Sequence, residues 1–255
     1  RSTRFSGTTL IGALAVVLVM AFLALPPYTF EGKVNLVGYG ICHQEPSHSL
    51  FIGDHQLPLC ARCTGTYLGS MVSLAVILIR KERRASGLPS PAVLVACMVG
   101  FAFYAVDGLN TYASMILQVP HLYTPDNHLR LLSGLACGIG LVAIVMPLFN
   151  FSVWRQTSDK RILDVRSYLV IACGSMALYL AAIWRPGWSY YPLALLSIVG
   201  VVVVLSIING LLALMVLRRE RQALGWRDAA FVLSVGLLMM SAELGGLGYL
   251  RFLLE

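Results

Sequence analysis

The 255 residues are 58% hydrophobic and only 12% charged, with a formal net charge of +7 and a mean hydropathy of +0.77. That balance excludes an ordinary soluble domain and places the chain among multi-pass membrane proteins. The positive charge does not mark a nucleic-acid binder either, because the basic residues fall between alternate apolar runs and not over one face.

Crossing about 30 Å of hydrocarbon as a helix takes roughly 20 apolar residues, since every backbone N–H and C=O must be bonded within its own segment. Seven runs meet that demand: Thr9 to Leu25, Cys60 to Ile79, Pro91 to Leu109, Leu129 to Phe149, Ser167 to Trp184, Leu193 to Leu217 and Ala229 to Leu253. No alternating strand pattern competes with them. They predict an all-α, polytopic transmembrane helical bundle of about seven spans, a single transmembrane domain over residues 1–255 with membrane lipid around it. The first run follows Arg1 and Arg4 but passes into Pro26-Pro27-Tyr28 without a small-x-small cleavage site, so it reads as a retained span and not a signal peptide. The missing initiator Met implies that residues precede Arg1.

Charge sets the orientation. Fourteen of the nineteen basic residues (Arg1, Arg4, Arg80, Lys81, Arg83, Arg84, Arg155, Lys160, Arg161, Arg166, Arg218, Arg219, Arg221 and Arg227) fall on one side of the seven runs. Lys33, Arg62, Arg130, Arg185 and Arg251 fall on or near the other. The positive-inside rule then makes the N-terminus cytoplasmic, the C-terminus extracytoplasmic, and residues 26–59 an outer loop.

This loop, Pro26 to Leu59, is long for a chain with otherwise short connections, and Gly32, Gly38, Gly40 and Gly53 punctuate it between aromatic and aliphatic residues. It is expected to pack on the helices. Its end holds the main chemical signal: Cys42-His43, then Cys60-Ala-Arg-Cys63 at the mouth of the second run. Three thiols and an imidazole are the donor set of a tetrahedral zinc site, and Cys-x-x-Cys has zinc-knuckle spacing. His48 and His55 are alternative ligands. Outside the cytoplasm a disulfide is the competing outcome, between Cys60 and Cys63 or from Cys42 to either. In a redox version, the helix dipole and Arg62 would lower a thiol pKa at Cys60-x-x-Cys63. Covalent haem is disfavoured because Thr64, not His, follows Cys63. Cys97, Cys137 and Cys173 lie mid-run and read as small packing residues.

Arg62, Asp107, Arg130 and Glu243 are ionisable residues within or at the outer ends of spans, where charge is costly and marks a pair or a site. Structurally, Asp107 or Glu243 pairs with Arg62 or Arg130. Functionally, the four converge below the cysteines, the arginines holding an anion such as a lipid phosphate and a carboxylate acting as base. His121 and His128 read as loop residues. The stretch Thr111 to Val119 is expected to lie in the interface as a short helix, and Trp184, Trp188, Tyr190 and Tyr191 to form an interfacial belt. Gly65 with Gly69, and Gly134 with Gly138, have four-residue spacing suited to close helix packing.

Cys42-His43-Gln44, Cys60-Ala-Arg-Cys-Thr-Gly65 and Tyr67-Leu-Gly69, followed by Asp107-Gly-Leu-Asn110 and Asn127-His-Leu-Arg130 through Gly134, resemble the signature of a prokaryotic membrane-protein family, domain of unknown function 2085. The likeness spans roughly Gly38 to Gly138 and leaves the last three runs uncovered. It implies a multi-pass protein of a prokaryotic cell membrane and brings no activity. His48-Ser49 stands where such sequences often have Arg-Ser.

The leading expectation is an outer metal site, zinc, on Cys42, His43, Cys60 and Cys63, structural with four ligands or hydrolytic with three. The alternatives are a membrane thiol oxidoreductase using Cys60 and Cys63, and a non-catalytic accessory subunit packing through its glycine pairs against protein partners in a larger membrane complex.

Overall fold

A computed structural model describes residues 8–80, 83–114, 122–184 and 186–254. Arg1, Arg4, Lys81, His121, Arg185 and the end of the expected interfacial helix lie outside the described residues. The seven apolar runs are all helical: α1 (Thr8–Ala24), α3 (Ala61–Ile79), α4 (Pro91–Tyr112), α5 (Asn127–Val153), α6 (Val165–Trp184), α7 (Tyr190–Val216) and α8 (Trp226–Leu254). Six of them are long and apolar enough to cross a membrane, and α1, with 17 residues, is a shorter apolar helix. Thr111, expected to begin an interfacial helix, instead continues α4.

The centre of the bundle is the pair α3 and α5. Of its apolar window, α5 buries 61%, against 17% for α6, so α6 is peripheral and presents much of its surface to lipid. The four expected packing glycines explain the pairing. A methyl built on Gly65 or Gly69 would overlap the carbonyl of Leu131 or Leu135, and one on Gly134 or Gly138 the carbonyl of Arg62 or Thr66. With no side chains between them the two backbones touch, which is how small residues hold helices together in lipid. These glycines are therefore engaged within the chain, which removes the surface on which the accessory-subunit expectation relied. Around the pair, α4 lies on α5, α7 on α3, α8 on α7, and α1 on α8.

Two features depart from an all-helical reading of the connections. The outer loop contains α2 (Phe30–Tyr39) and an antiparallel hairpin, β1 (Ser49–Ile52) with β2 (His55–Cys60), turning at Gly53 with φ 61°. At the opposite end β3 (Ala85–Gly87) pairs in parallel with β4 (Ser158–Arg161). There Asn150 donates to the carbonyls of Arg83 and Ala85 and accepts from the Trp154 indole, while the Arg84 guanidinium stacks 3.9 Å above Trp154. The basic connections are thus folded onto one another. Strands of three to six residues in polar surroundings show no usable alternation, so the sequence reading passes over them.

The four residues expected to form the aromatic belt divide by exposure. Trp184, Trp188 and Tyr191 are exposed, but Tyr190 is buried against Phe30 and His55.

Candidate metal centre

Cys42, Cys60 and Cys63 are brought to one point by the end of α2, the hairpin and the start of α3. After α2 the chain turns at Gly40, and the Cys42 N–H donates to the Gly38 carbonyl at 2.8 Å. Gly38 itself lies against the Pro58 carbonyl, where a Cβ would overlap it, so the end of α2 can press on β2. Gln44, in the left-handed region at φ 57°, donates from its amide to the carbonyls of Pro58 and Asn35. Gln56 returns a bond to the Gln44 carbonyl at 2.8 Å. Cys60 ends β2 and is the extended N-cap of α3, and Cys63 follows three residues later on the same helical face. From the far end of the chain, Arg251 on α8 donates to the carbonyls of Cys42 and His43 and lies 4.1 Å over Tyr39.

The three sulfur atoms all lie within 4.8 Å of one another. Cys42 is buried and the other two partly so, and all six cysteines of the chain are free thiols. The thiols of Cys60 and then Cys63 donate toward Cys42, and the Cys60 backbone N–H adds a bond to its sulfur at 3.2 Å; together they push the Cys42 thiol below its ordinary pKa. The same contact raises Cys60, the donor. The redox expectation sited the thiolate on Cys60-x-x-Cys63 with Arg62 as its support. Arg62 instead engages Asp107, and the helix N-terminus serves Cys42.

His43 is not in the group. Cys42 turns inward and His43, its neighbour, is exposed, since adjacent residues cannot both aim at one point without a tighter turn than this one. His55 is held elsewhere: its Nδ1 meets Glu31 at 2.6 Å and its ring lies on Tyr190. His48 is half-buried in the turn before β1, and His128 packs edge-on to Tyr179. Cys97 is buried in the core, Cys137 is half-buried, and Cys173 is on the exposed face of α6.

Beside the thiols lies a buried polar cluster. Asp107, fully buried, accepts from Arg62 Nε at 3.0 Å and Nη2 at 2.6 Å, from Ser133 at 3.3 Å and, on its other oxygen, from the Tyr123 hydroxyl at 2.9 Å. Arg62 also donates to the Asp107 carbonyl and to Thr111. Burial and the bond to Asp107 push the Tyr123 phenol up to about 12. With both oxygens bonded to donors from α3, α5 and the Tyr123 segment, Asp107 is placed as a clamp of α3, α4 and α5. Glu243 stands apart, accepting from Asn209 of α7 at 2.9 Å, so it pairs with neither arginine. Tyr123, Thr111, Ser133, Gln44 and Gln56 escape a reading of the sequence. Their only signal is a position within the two motif blocks, or near them.

The same blocks carry the relationship to other proteins. The family model for a predicted membrane protein, DUF2085, matches residues 42–144, from the first cysteine into α5. An uncharacterized protein of Methanocaldococcus jannaschii is 29% identical over 116 residues, 46% of this chain and 68% of that protein. An uncharacterized protein of Methanothermobacter thermautotrophicus is 31% identical over 109 residues, 42% of this chain and 86% of that protein. No solved structure matches.

Proposed function

The chain belongs to the family of predicted membrane proteins DUF2085, and from that premise we propose that its matched region is a metal site of Cys42, Cys60 and Cys63 at the extracytoplasmic rim of the bundle. The observation that carries the reading is the approach of three sulfurs within 4.8 Å from two separated segments. Zinc–sulfur bonds of about 2.3 Å in a tetrahedron place sulfurs about 3.8 Å apart, so small side-chain rotations suffice to close on an ion. Three is also an odd number of thiols, all of which a metal employs and a disulfide does not. The downward push on the Cys42 thiol favours the deprotonated form that a metal binds.

Zinc is the ion this donor set suits. With His43 exposed, three protein ligands leave a fourth position open, which favours the hydrolytic version over the purely structural one. When bound there, the ion would act as a Lewis acid on an oxygen of a lipid-like substrate. The chain's own contribution is to hold the thiols: the Gln44–Gln56 brace and Arg251 fix the loop, and the Arg62–Asp107 clamp fixes the start of α3 that carries Cys60 and Cys63.

Elemental analysis of protein purified without added metal should find about one zinc per chain, lost in Cys60→Ser and in Cys42→Ser. A metal-free wild type, with Cys42 trapped in a disulfide to Cys60 or Cys63 under mild oxidation, would replace this reading with thiol exchange. The geometry favouring that second reading is the same: one thiol pushed down in pKa with two others within 4.8 Å of it.

A further inference from the structure

Among the described residues of the polar cluster below the hairpin, Arg130 forms no ion pair. Arg130, in the first turn of α5, is 5% exposed. Its Nη1 donates to Asn127 Oδ1 at 2.8 Å, and its Nε is buried with no acceptor among the described residues. The nearest buried carboxylate, Asp107, is already filled by Arg62, Ser133 and Tyr123. The charged groups that act on Arg130 are Arg62, Asp107 and Asp126. Asp126 is exposed and bonded to the His128 N–H as the cap of α5. Burying a guanidinium with a donor left unpaired and no carboxylate bonded to it is unfavourable unless an oxyanion completes it.

We propose that Arg130 binds a phosphate-type oxyanion, of the class carried by a phosphodiester headgroup or a phosphate ester, between the start of α5 and the Pro46–His48 turn. Three features favour phosphate. The guanidinium fork matches two phosphate oxygens at once. Arg130 sits at the mouth of a candidate span, the depth at which lipid phosphates lie. The start of α5 adds the positive end of a helix dipole. The turn that borders the site is tied to it, because Asn127 donates to the carbonyls of Ser47 and Ser49. Burial, and next the charge on Arg130, push the His48 imidazole down, so that turn adds no second cation to repel from Arg130. Arg130 opens α5 and Cys63 opens its paired helix α3, so the oxyanion lies at the same end of the bundle as the thiols and gives the metal reading its substrate class. The anion site itself rests on Arg130 and does not require the metal.

Delipidated protein in phosphate-free detergent, with and without chelator, is titrated with inorganic phosphate at constant ionic strength and followed by thermal unfolding. A parallel titration with phosphatidylglycerol is followed by native mass spectrometry. Saturable binding of either probe is expected in both metal states, weakened about tenfold or more in Arg130→Gln and less in Arg130→Lys, which keeps the charge and loses the fork. Binding of inorganic phosphate identifies a water-borne ester as the source, and binding of phosphatidylglycerol alone a lipid headgroup; either supports the proposal. It is overturned if wild type binds neither probe saturably, if acetate binds as tightly as phosphate, or if a folded Arg130→Gln or Arg130→Lys binds like wild type. The wild-type titrations decide the matter even where Arg130→Gln fails to fold, and chelation separates loss of the metal from loss of the anion site.

Discussion

Asp107 has no exposed surface and receives four side-chain hydrogen bonds, two of them from Arg62. Removing one member of such a buried pair strands the other, at a cost of about 3–5 kcal/mol. Asp107→Asn should therefore destabilise the detergent-solubilised protein by that order. Adding Arg62→Gln should restore part of the loss, a coupling that a double-mutant cycle on unfolding free energies reads directly. Strictly additive losses would show that the pair is not a clamp. At this scale the sequence is a partial guide. Cys42, Cys60, Cys63, Arg62 and Asp107 announce themselves because thiols at knuckle spacing and charges in apolar runs are rare. Tyr123, Ser133, Gln44 and Gln56 do not, because a hydroxyl or amide that completes a bond to a distant segment leaves no periodic trace. His43 misleads for a related reason: adjacency to Cys42 in sequence sends its side chain the other way.

Between elements, the glycine contact of α3 with α5 sets the position of everything else at the site, since Arg62, Cys60 and Cys63 ride on one helix and Arg130 and Ser133 on the other. Gly138→Ala drives a methyl into the Thr66 carbonyl, and should lower stability by about 1–3 kcal/mol through overpacking. Gly245→Ala on α8, with nothing within 4 Å of the added atom, should be neutral or stabilising by up to about 1 kcal/mol from helix propensity. Thermal unfolding of the two variants in one detergent checks the contrast. The helices themselves are legible from run length, because lipid admits no other spanning structure for such runs. The β1–β2 hairpin, α2 and the β3–β4 pair are not, being short pieces whose order comes from packing on the bundle.

The whole molecule has two unlike ends. One gathers Arg83 over Trp226, Arg84 over Trp154, Arg155 and the β3–β4 pair; the other gathers the thiols, the hairpin and Arg251. The charge rule assigns the first to the cytoplasm. A membrane-impermeant maleimide applied to intact cells should label Ser47→Cys and spare Asp159→Cys, both at exposed positions, with the pattern reversed if the orientation is inverted. If the thiol end holds an ion, sulfur from both segments grips it. Zinc-edge X-ray absorption on protein as purified measures that most directly: three sulfur scatterers at about 2.3 Å and one oxygen or nitrogen are predicted, whereas a shell without sulfur, or no bound metal at all, would contradict it.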